Sequence, residues 1–130
     1  MKASIERTID ELLAGARAQL RRIAPEELER ETAAGALVVD IRPIEQRHRD
    51  GDLPGALVID RNVLEWRLAP SSPNRVVDVQ DRRVIVVCNE GYQSSLAAAT
   101  LLELGVLGAT DLIGGYQGLL EYGRSTTLEA

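Results

Sequence analysis

The residues with the clearest capacity for chemistry lie in a short loop that begins at the only cysteine of the chain, Cys88. This cysteine ends an apolar run, residues 84–87, and a helix-forming stretch starts a few residues later, near Ser94. Two interpretations are open for a thiol in this position. It can be a buried packing residue, as free cysteines often are, or a nucleophile whose anionic form is stabilised by the N-terminus of the following helix.

The composition of the loop favours the nucleophile. Between the cysteine and the helix lie Asn89, Glu90, Gly91, Tyr92 and Gln93. If this loop curls, its backbone N–H groups face inward and form a concave anion-binding site above the positive end of the helix. Gly91 can supply the positive φ that such a curl needs. The position of Cys88 therefore meets the physical requirements of a nucleophilic cysteine, and the alternative of a buried packing thiol stays open.

The strands that must carry this loop are short and apolar. Strands are predicted at 36–41, 56–60 and 81–88, and a last short strand follows residue 108. The run 81–88 is the most β-branched of the chain, which predicts a central strand. In an open α/β sheet, ligands bind beyond the carboxyl ends of the strands, and Cys88 ends this one.

Helices alternate with these strands, which predicts an α/β fold with a parallel sheet and helices on both faces. The predicted helices are an amphipathic helix over 4–22 with Ser4 as its N-cap, a helix from Pro25 to Gly35, one or two turns within 61–68, a helix over 94–105, and a final helix that follows the last strand within 109–123. Ser94 or Ser95 is the expected N-cap of the helix over 94–105, and Gly105 is its expected C-terminal stop.

This pattern predicts one compact domain over 23–122, preceded by an amphipathic helical extension over 1–22 and followed by a loose tail over 123–130. The N-terminal helix is expected to pack on the domain or on a second copy of the chain, so a homodimer is one possible assembly.

Composition excludes several classes of function. The formal net charge is −5 and no long Lys/Arg run is present, so we do not expect a nucleic-acid binder. One Cys and one His cannot supply a disulfide or a His/Cys metal site. No apolar run approaches the ~20 residues that cross a bilayer, and the N-terminus lacks the apolar core of a signal peptide. A cytoplasmic, reducing location is the expectation.

Three segments, VVDIRPIEQRHRDGDLPGA, VIVVCNEGYQSSLAAATLLELG and LIGGYQGLL, carry four motifs that together resemble the rhodanese-like domains. The segment VVDIRPIEQRHRDGDLPGA resembles the family's Asp-x-Arg strand exit and its Pro-Gly-Ala segment, here Asp52 to Ala56. The segment VIVVCNEGYQSSLAAATLLELG resembles the strand, six-residue active loop and helix, and LIGGYQGLL resembles the late Gly-Gly turn. The resemblance runs from about Ile23 to Leu120 and implies a rhodanese-like fold, with a mostly parallel sheet of about five strands.

The resemblance also implies a function. Many family members are sulfurtransferases, in which the residue that corresponds to Cys88 takes a sulfane sulfur from a donor such as thiosulfate. The sulfur would then pass from the persulfide to a thiol or cyanide-like acceptor or to an acceptor protein, and no cofactor would be needed. This double displacement splits one difficult transfer into two easier steps. Cys88 would be the catalytic residue. The cradle that binds the substrate would be formed by the backbone amides of Asn89, Glu90, Gly91, Tyr92 and Gln93, together with Ser94.

This chain departs from the family pattern at four positions. Gln93 stands where the family often has Arg, Glu90 adds a negative charge within the loop, Asp52 replaces a frequent His, and Leu119 replaces a common Trp. Gln93 carries no charge to hold an anionic donor, and we expect Glu90 to face solvent. These departures leave open a catalytically weak or silent binding or regulatory module.

A phosphatase or arsenate reductase is the third alternative, since the same architecture can support it. That chemistry needs an Arg to clamp a tetrahedral oxyanion, and no Arg occurs between Arg83 and Arg124.

Several other polar residues have structural interpretations. Asp40 and Arg42 are expected to pin neighbouring loops through charge-assisted hydrogen bonds. His48 is expected to be exposed and without a catalytic role. Trp66 is expected to fill the core or the rim of the site. Three arginines that precede the central strand are candidates for attracting an anionic donor: Arg61, Arg67 and Arg75.

Overall fold

In a computed structural model, which describes residues 6–129, the chain folds into a parallel sheet with helices on both faces. The described strands are β1 (Leu37–Asp40), β2 (Leu57–Val58), β3 (Val84–Val87) and β4 (Ala109–Asp111). Their order across the sheet is β2-β1-β3-β4, and all neighbouring pairs are parallel. The predicted α/β fold and the central position of the third strand are confirmed.

A fifth strand is reduced to a single bridge. The described residues form four strands rather than about five, and Ile23 makes an isolated parallel bridge with Leu112 at the outer edge of β4. The Ile23 N–H donates to the Asp111 carbonyl at 2.9 Å. The extended segment stops there because Pro25, which lacks an N–H and favours a first helical turn, begins the next helix.

The helices flank the sheet. Five of them lie where the sequence predicts a helix, and the helix over 44–50 was not among the predicted ones. They are α1 (Ile9–Arg17), α2 (Pro25–Ala33), α3 (Ile44–Asp50), α4 (Leu64–Leu68, after a 3-10 turn at Arg61–Val63), α5 (Gln93–Glu103) and α6 (Gly115–Glu129). Each of α4 and α5 packs on one face of the sheet, and each of α2 and α6 packs on the other. The short helix α1 packs on the outside of α5.

The central strand β3 contributes to both cores because successive side chains of a strand point to opposite faces. Val84 and Val86 pack with α4 and α5, whereas Ile85 and Val87 pack with α2 and α6. All four side chains are fully buried. Cys88 continues the first of these two rows and so points toward the α5 side.

Three helices differ from the sequence prediction in where they begin or end. First, α1 ends at Arg17 rather than at residue 22, and it begins after Thr8, not near Ser4, because Thr8 and Glu11 form a reciprocal capping box; Ser4 lies outside the described residues. Second, the N-cap of α5 is Tyr92. Third, α6 continues to Glu129 through the segment predicted as a loose tail, and no proline follows Gly115 to interrupt it.

Gly105 confirms the predicted stop of α5, since it follows the C-cap residue with φ +94°. Within residues 6–129, no helix is both long and apolar enough to cross a membrane.

Candidate active site

Cys88 lies at the carboxyl end of β3, where the chain leaves the sheet and turns toward α5. Its side chain is 7% exposed, and it lines a cavity of about 290 Å³ at this edge of the sheet. The cysteine therefore belongs to the core on one side and contacts an open cavity on the other.

Two main-chain N–H groups donate to the sulfur of Cys88. The Gly91 N–H lies 3.1 Å from Sγ, and the Ser94 N–H lies 3.3 Å from it. The second donor belongs to the first turn of α5, whose N-terminus carries a partial positive charge. Both the donors and the helix favour a negative charge on this sulfur.

The loop turns its carbonyl groups away from the cavity, and neighbouring segments hold them there. The Cys88 carbonyl accepts from the Tyr116 N–H at 2.8 Å, and the Asn89 carbonyl accepts from the Gln117 N–H at 3.0 Å. In a trans peptide the C=O and the next N–H point in opposite directions. The N–H groups of Asn89 and Glu90 therefore point away from α6.

The Gly-Gly turn before α6 allows this close approach of two backbones. A Cβ at Gly115 would lie 2.5 Å from the Cys88 carbonyl oxygen, and one at Gly91 would lie 2.8 Å from the Gly114 nitrogen. Gly91 also has φ +88°, the positive value that the sequence predicts for a curled loop. Side chains are excluded from this interface, so the late Gly-Gly motif and the active loop form one structural unit.

A buried carboxylate beneath the loop was missed by the sequence analysis. Asp111, at the end of β4, is fully buried and accepts hydrogen bonds from the hydroxyls of Ser94 at 2.7 Å and Ser95 at 2.8 Å. The Arg22 guanidinium donates to both of its oxygens, at 2.8 and 3.2 Å. These contacts explain why neither serine caps α5: both hydroxyls are committed to the carboxylate.

The mouth of the cavity carries one of the three predicted arginines. Arg61 Nε donates to Gln93 Oε1 at 3.0 Å, and Arg61 Nη1 lies 2.9 Å from each carboxylate oxygen of Glu65. Arg61 lines the cavity, whereas its described lining includes neither Arg67 nor Arg75. The structure thus places a guanidinium beside the uncharged sixth residue of the loop.

The side chains of Glu90 and Tyr92 at the mouth of the cavity point outward, whereas that of Asn89 contacts α6. Glu90 is exposed, as expected, and Tyr92 is 60% exposed. Asn89 Oδ1 accepts from Gln117 Nε2 at 3.1 Å, which ties the loop to α6 once more. Of the six predicted binding residues, Gly91 and Ser94 have N–H groups within hydrogen-bonding distance of Sγ.

The structural interpretation of the Asp40–Arg42 pair agrees with the geometry. Arg42 Nη2 lies 2.8 Å from Asp40 Oδ2 with both side chains buried, and it also donates to the Gly51 carbonyl at 3.0 Å. The guanidinium stacks on the ring of Tyr116, 3.8 Å from its centroid. The pair therefore connects the ends of β1, α3 and α6.

The remaining predictions divide. His48 is exposed on α3, as expected. Trp66 fills neither the core nor the rim of the Cys88 cavity: it is 59% exposed and lines a separate surface groove with Pro73 and Leu104. The five-residue helix α4 buries Leu64 and Leu68 and so turns Trp66 outward. Within the described chain, no three His, Cys, Asp or Glu side chains gather as metal ligands.

Comparison with known proteins finds one matching family and, among the similar proteins, three that are described here. The sequence profile of the family described as Rhodanese-like domain matches residues 24–121. A structure from Rhodopseudomonas palustris, of a protein of unknown function described as a possible tyrosine phosphatase, has a TM-score of 0.82 at 28% identity and covers 95% of this chain and 96% of that one. The human single-domain sulfurtransferase TSTD1 has a TM-score of 0.65 at 27% identity and covers 77% of this chain and 95% of that one.

The third relative is much longer. The adenylyltransferase and sulfurtransferase UBA4 of Lodderomyces elongisporus is 37% identical over 86 residues, which is 60% of this chain. The chain spans only 18% of the length of that protein.

Proposed function

Since the chain belongs to the rhodanese-like domain family, we propose that it is a sulfurtransferase that carries sulfane sulfur on Cys88. Sulfur transfer as the class of activity is supported by the family and by two relatives named as sulfurtransferases. The observation that carries the finer proposal is the pair of N–H groups, from Gly91 and Ser94, that donate to Sγ. Donors so placed favour an anionic sulfur, which is the nucleophilic form.

The proposed cycle has two displacements. The Cys88 thiolate attacks the outer sulfur of thiosulfate, an Sγ–S bond forms, the S–S bond of thiosulfate breaks, and sulfite leaves with the electron pair. A thiolate or cyanide then attacks the outer sulfur of the persulfide, and the Sγ–S electron pair returns to Cys88. In both resting forms a negative sulfur lies within the curl of the loop, whose inward N–H groups stabilise it.

Two alternatives fit the site less well. Cys88 as a packing residue alone does not require a cavity at its sulfur, yet it lines one. Phosphatase chemistry needs a guanidinium from the loop to clamp a tetrahedral oxyanion, and residues 84–123 contain no Arg. A silent module keeps the same geometry without turnover, so kinetics must distinguish it from an enzyme.

The first experiment measures thiocyanate release from thiosulfate and cyanide, together with the intact mass of the protein after incubation with the donor alone. We expect turnover and the gain of one sulfur atom. Cys88→Ser should abolish both while leaving the circular dichroism spectrum unchanged, because serine is close in size and the chain has no other thiol.

Two outcomes would contradict the proposal. Turnover retained by Cys88→Ser would exclude this residue as the carrier. A wild-type protein that gains no sulfur from thiosulfate, from a persulfide donor or from a trisulfide would support the binding module.

A further inference from the structure

Two guanidinium groups from the N-terminal segment converge on one carbonyl of the active loop. Arg17 Nη2 donates to the Gly91 carbonyl at 2.7 Å, and Arg22 Nη2 donates to the same oxygen at 3.1 Å. Arg17 ends α1, and Arg22 lies in the segment just before the Ile23 bridge. Both lie outside residues 24–121, the part of the chain that matches the family profile.

Each arginine is itself fixed by a second contact. Arg17 Nε donates to Ser95 Oγ at 3.1 Å, and its guanidinium lies 5.6 Å from the centroid of the Tyr92 ring. Arg22 is held by its ion pair with buried Asp111 at 2.8 Å. A planar guanidinium anchored at two sites loses little further freedom when it binds a third group, so the direction of the Gly91 carbonyl is closely defined.

The direction of that carbonyl determines the direction of the next N–H. The Gly91–Tyr92 peptide is trans, so its C=O and the Tyr92 N–H point oppositely. With the carbonyl held against the arginines, the Tyr92 N–H must point away from them. The Ser95 hydroxyl also donates to this carbonyl, at the longer distance of 3.3 Å. Gly91 itself has φ +88° and no side chain, so it adds little restraint of its own.

We propose that Arg17 and Arg22 act as positioning residues that fix the Gly91–Tyr92 peptide and thereby keep the loop in the form that favours an anionic Cys88. Neither arginine is among the residues that line the Cys88 cavity, and neither donates to Sγ. The inference builds on the proposed function, in which Cys88 is the nucleophile. It assigns to the N-terminal extension a role in the reactivity of a loop that is otherwise supplied entirely by the family domain.

The test follows the reactivity of the thiol and needs no sulfur donor. Iodoacetamide modifies thiolates, and the chain has one cysteine, so the rate of mass gain reports Cys88 alone. We compare wild type with Arg17→Gln, which removes no ion pair among residues 6–129 and leaves Ser95 Oγ bonded to Asp111. The matched control is Arg21→Gln, which removes the same charge from an exposed neighbouring position.

We expect Arg17→Gln to slow alkylation near pH 7 by about three- to tenfold, because a smaller fraction of the protein molecules has Cys88 in the thiolate form. Near pH 10, where an ordinary thiol is ionised, its rate should equal that of wild type. Arg21→Gln should match wild type at both pH values. Arg17→Lys keeps the charge without the two-pronged geometry, and should recover only part of the lost rate.

Two results would overturn the proposal. One is an Arg17→Gln protein with wild-type circular dichroism and a wild-type alkylation rate near pH 7. The other is equal slowing at both pH values, which would indicate altered access to the sulfur and not altered ionisation. Failure of the proposed function is separate: it would appear as absent sulfur transfer in wild type, whatever the alkylation rates of the variants.

Discussion

At the scale of single residues, Arg61 places a positive charge at the mouth of the Cys88 cavity. It lies beside Gln93, the sixth loop residue, which has no charge of its own. Its Nε and Nη1 groups are committed to Gln93 and Glu65, which leaves Nη2 outside these contacts. The side chain is 31% exposed, so solvent screens its charge and its effect on an anionic donor should be modest.

We predict that Arg61→Gln raises the KM for thiosulfate by about two- to fivefold with little change in kcat, since exposed ion pairs contribute at most about 1 kcal/mol. Raising the ionic strength should reduce the difference in KM between Arg61→Gln and wild type. Arg67→Gln, at an exposed position away from the cavity, is the control. Equal KM values for Arg61→Gln and wild type at low salt would exclude this role.

A second prediction at this scale concerns Gly115. Its φ of +60° is costly for other residues, and an added Cβ would lie 2.5 Å from the Cys88 carbonyl and 2.8 Å from the Asn89 carbonyl carbon. We expect Gly115→Ala to lower the free energy of unfolding by about 1–3 kcal/mol, the usual cost of a strained backbone. Sulfur transfer should fall as well, because the loop must move.

The matched control is Gly123→Ala in the same helix, where an added Cβ meets nothing within 4 Å. There alanine should stabilise by about 0.4–1 kcal/mol, because it restricts the unfolded chain. Urea unfolding measures both. Similar stabilities for the two variants would show that the close approach of the loop to the Gly-Gly turn is not required.

At the scale of elements, the capping box makes the stability of α1 depend on pH. The Thr8 N–H donates to the Glu11 carboxylate at 2.8 Å, and this backbone hydrogen bond holds the pKa of Glu11 below its ordinary value of 4.5. A lowered pKa in the folded state means that the stabilisation is present above the unfolded value and is lost as pH falls through the folded value.

We therefore expect Glu11→Gln to melt at a lower temperature than wild type near neutral pH, and the difference to be smaller near pH 3, below the ordinary pKa of 4.5. Glu29→Gln, at an exposed position on α2, should show no such pH-dependent gap. A gap for Glu11→Gln that stays the same at both pH values would contradict the assignment. Because α1 ends in Arg17, the same acidification weakens the element that reaches the active loop.

At the scale of the whole molecule, the two cores meet at β3. Its four side chains are fully buried and alternate between the two faces, so the strand cannot separate without opening both cores. By contrast, β2 is a two-residue strand at the sheet edge, and Val58 is 48% exposed.

Native-state hydrogen exchange should therefore show β3 amides opening only with global unfolding, whereas β2 amides open locally at lower free energy. Titration with low concentrations of denaturant separates the two processes. Equal protection of both strands would show that the edge and centre of the sheet unfold together.

The sequence by itself determined the alternation of strands and helices, the central strand and the candidate nucleophile. These depend on local properties: β-branched runs, glycine and proline at the ends of elements, and a thiol between a strand and a helix. Such signals act between residues that are close in the chain, so they can be interpreted without the fold. Even the start of α1 was open to sequence reasoning, since Thr8 and Glu11 have the spacing of a capping box.

Only the tertiary structure decided what surrounds the loop. Arg22 and Asp111 are 89 positions apart in the chain, and Arg17 and Gly91 are 74 positions apart. In the sequence, Arg17 resembles any basic residue on the polar face of a helix. Trp66 likewise has a pattern compatible with the core, and its exposure follows from which face of α4 the two leucines bury. Hydrogen bonds and burial depend on groups that meet only when distant segments pack, and no local spacing specifies those meetings.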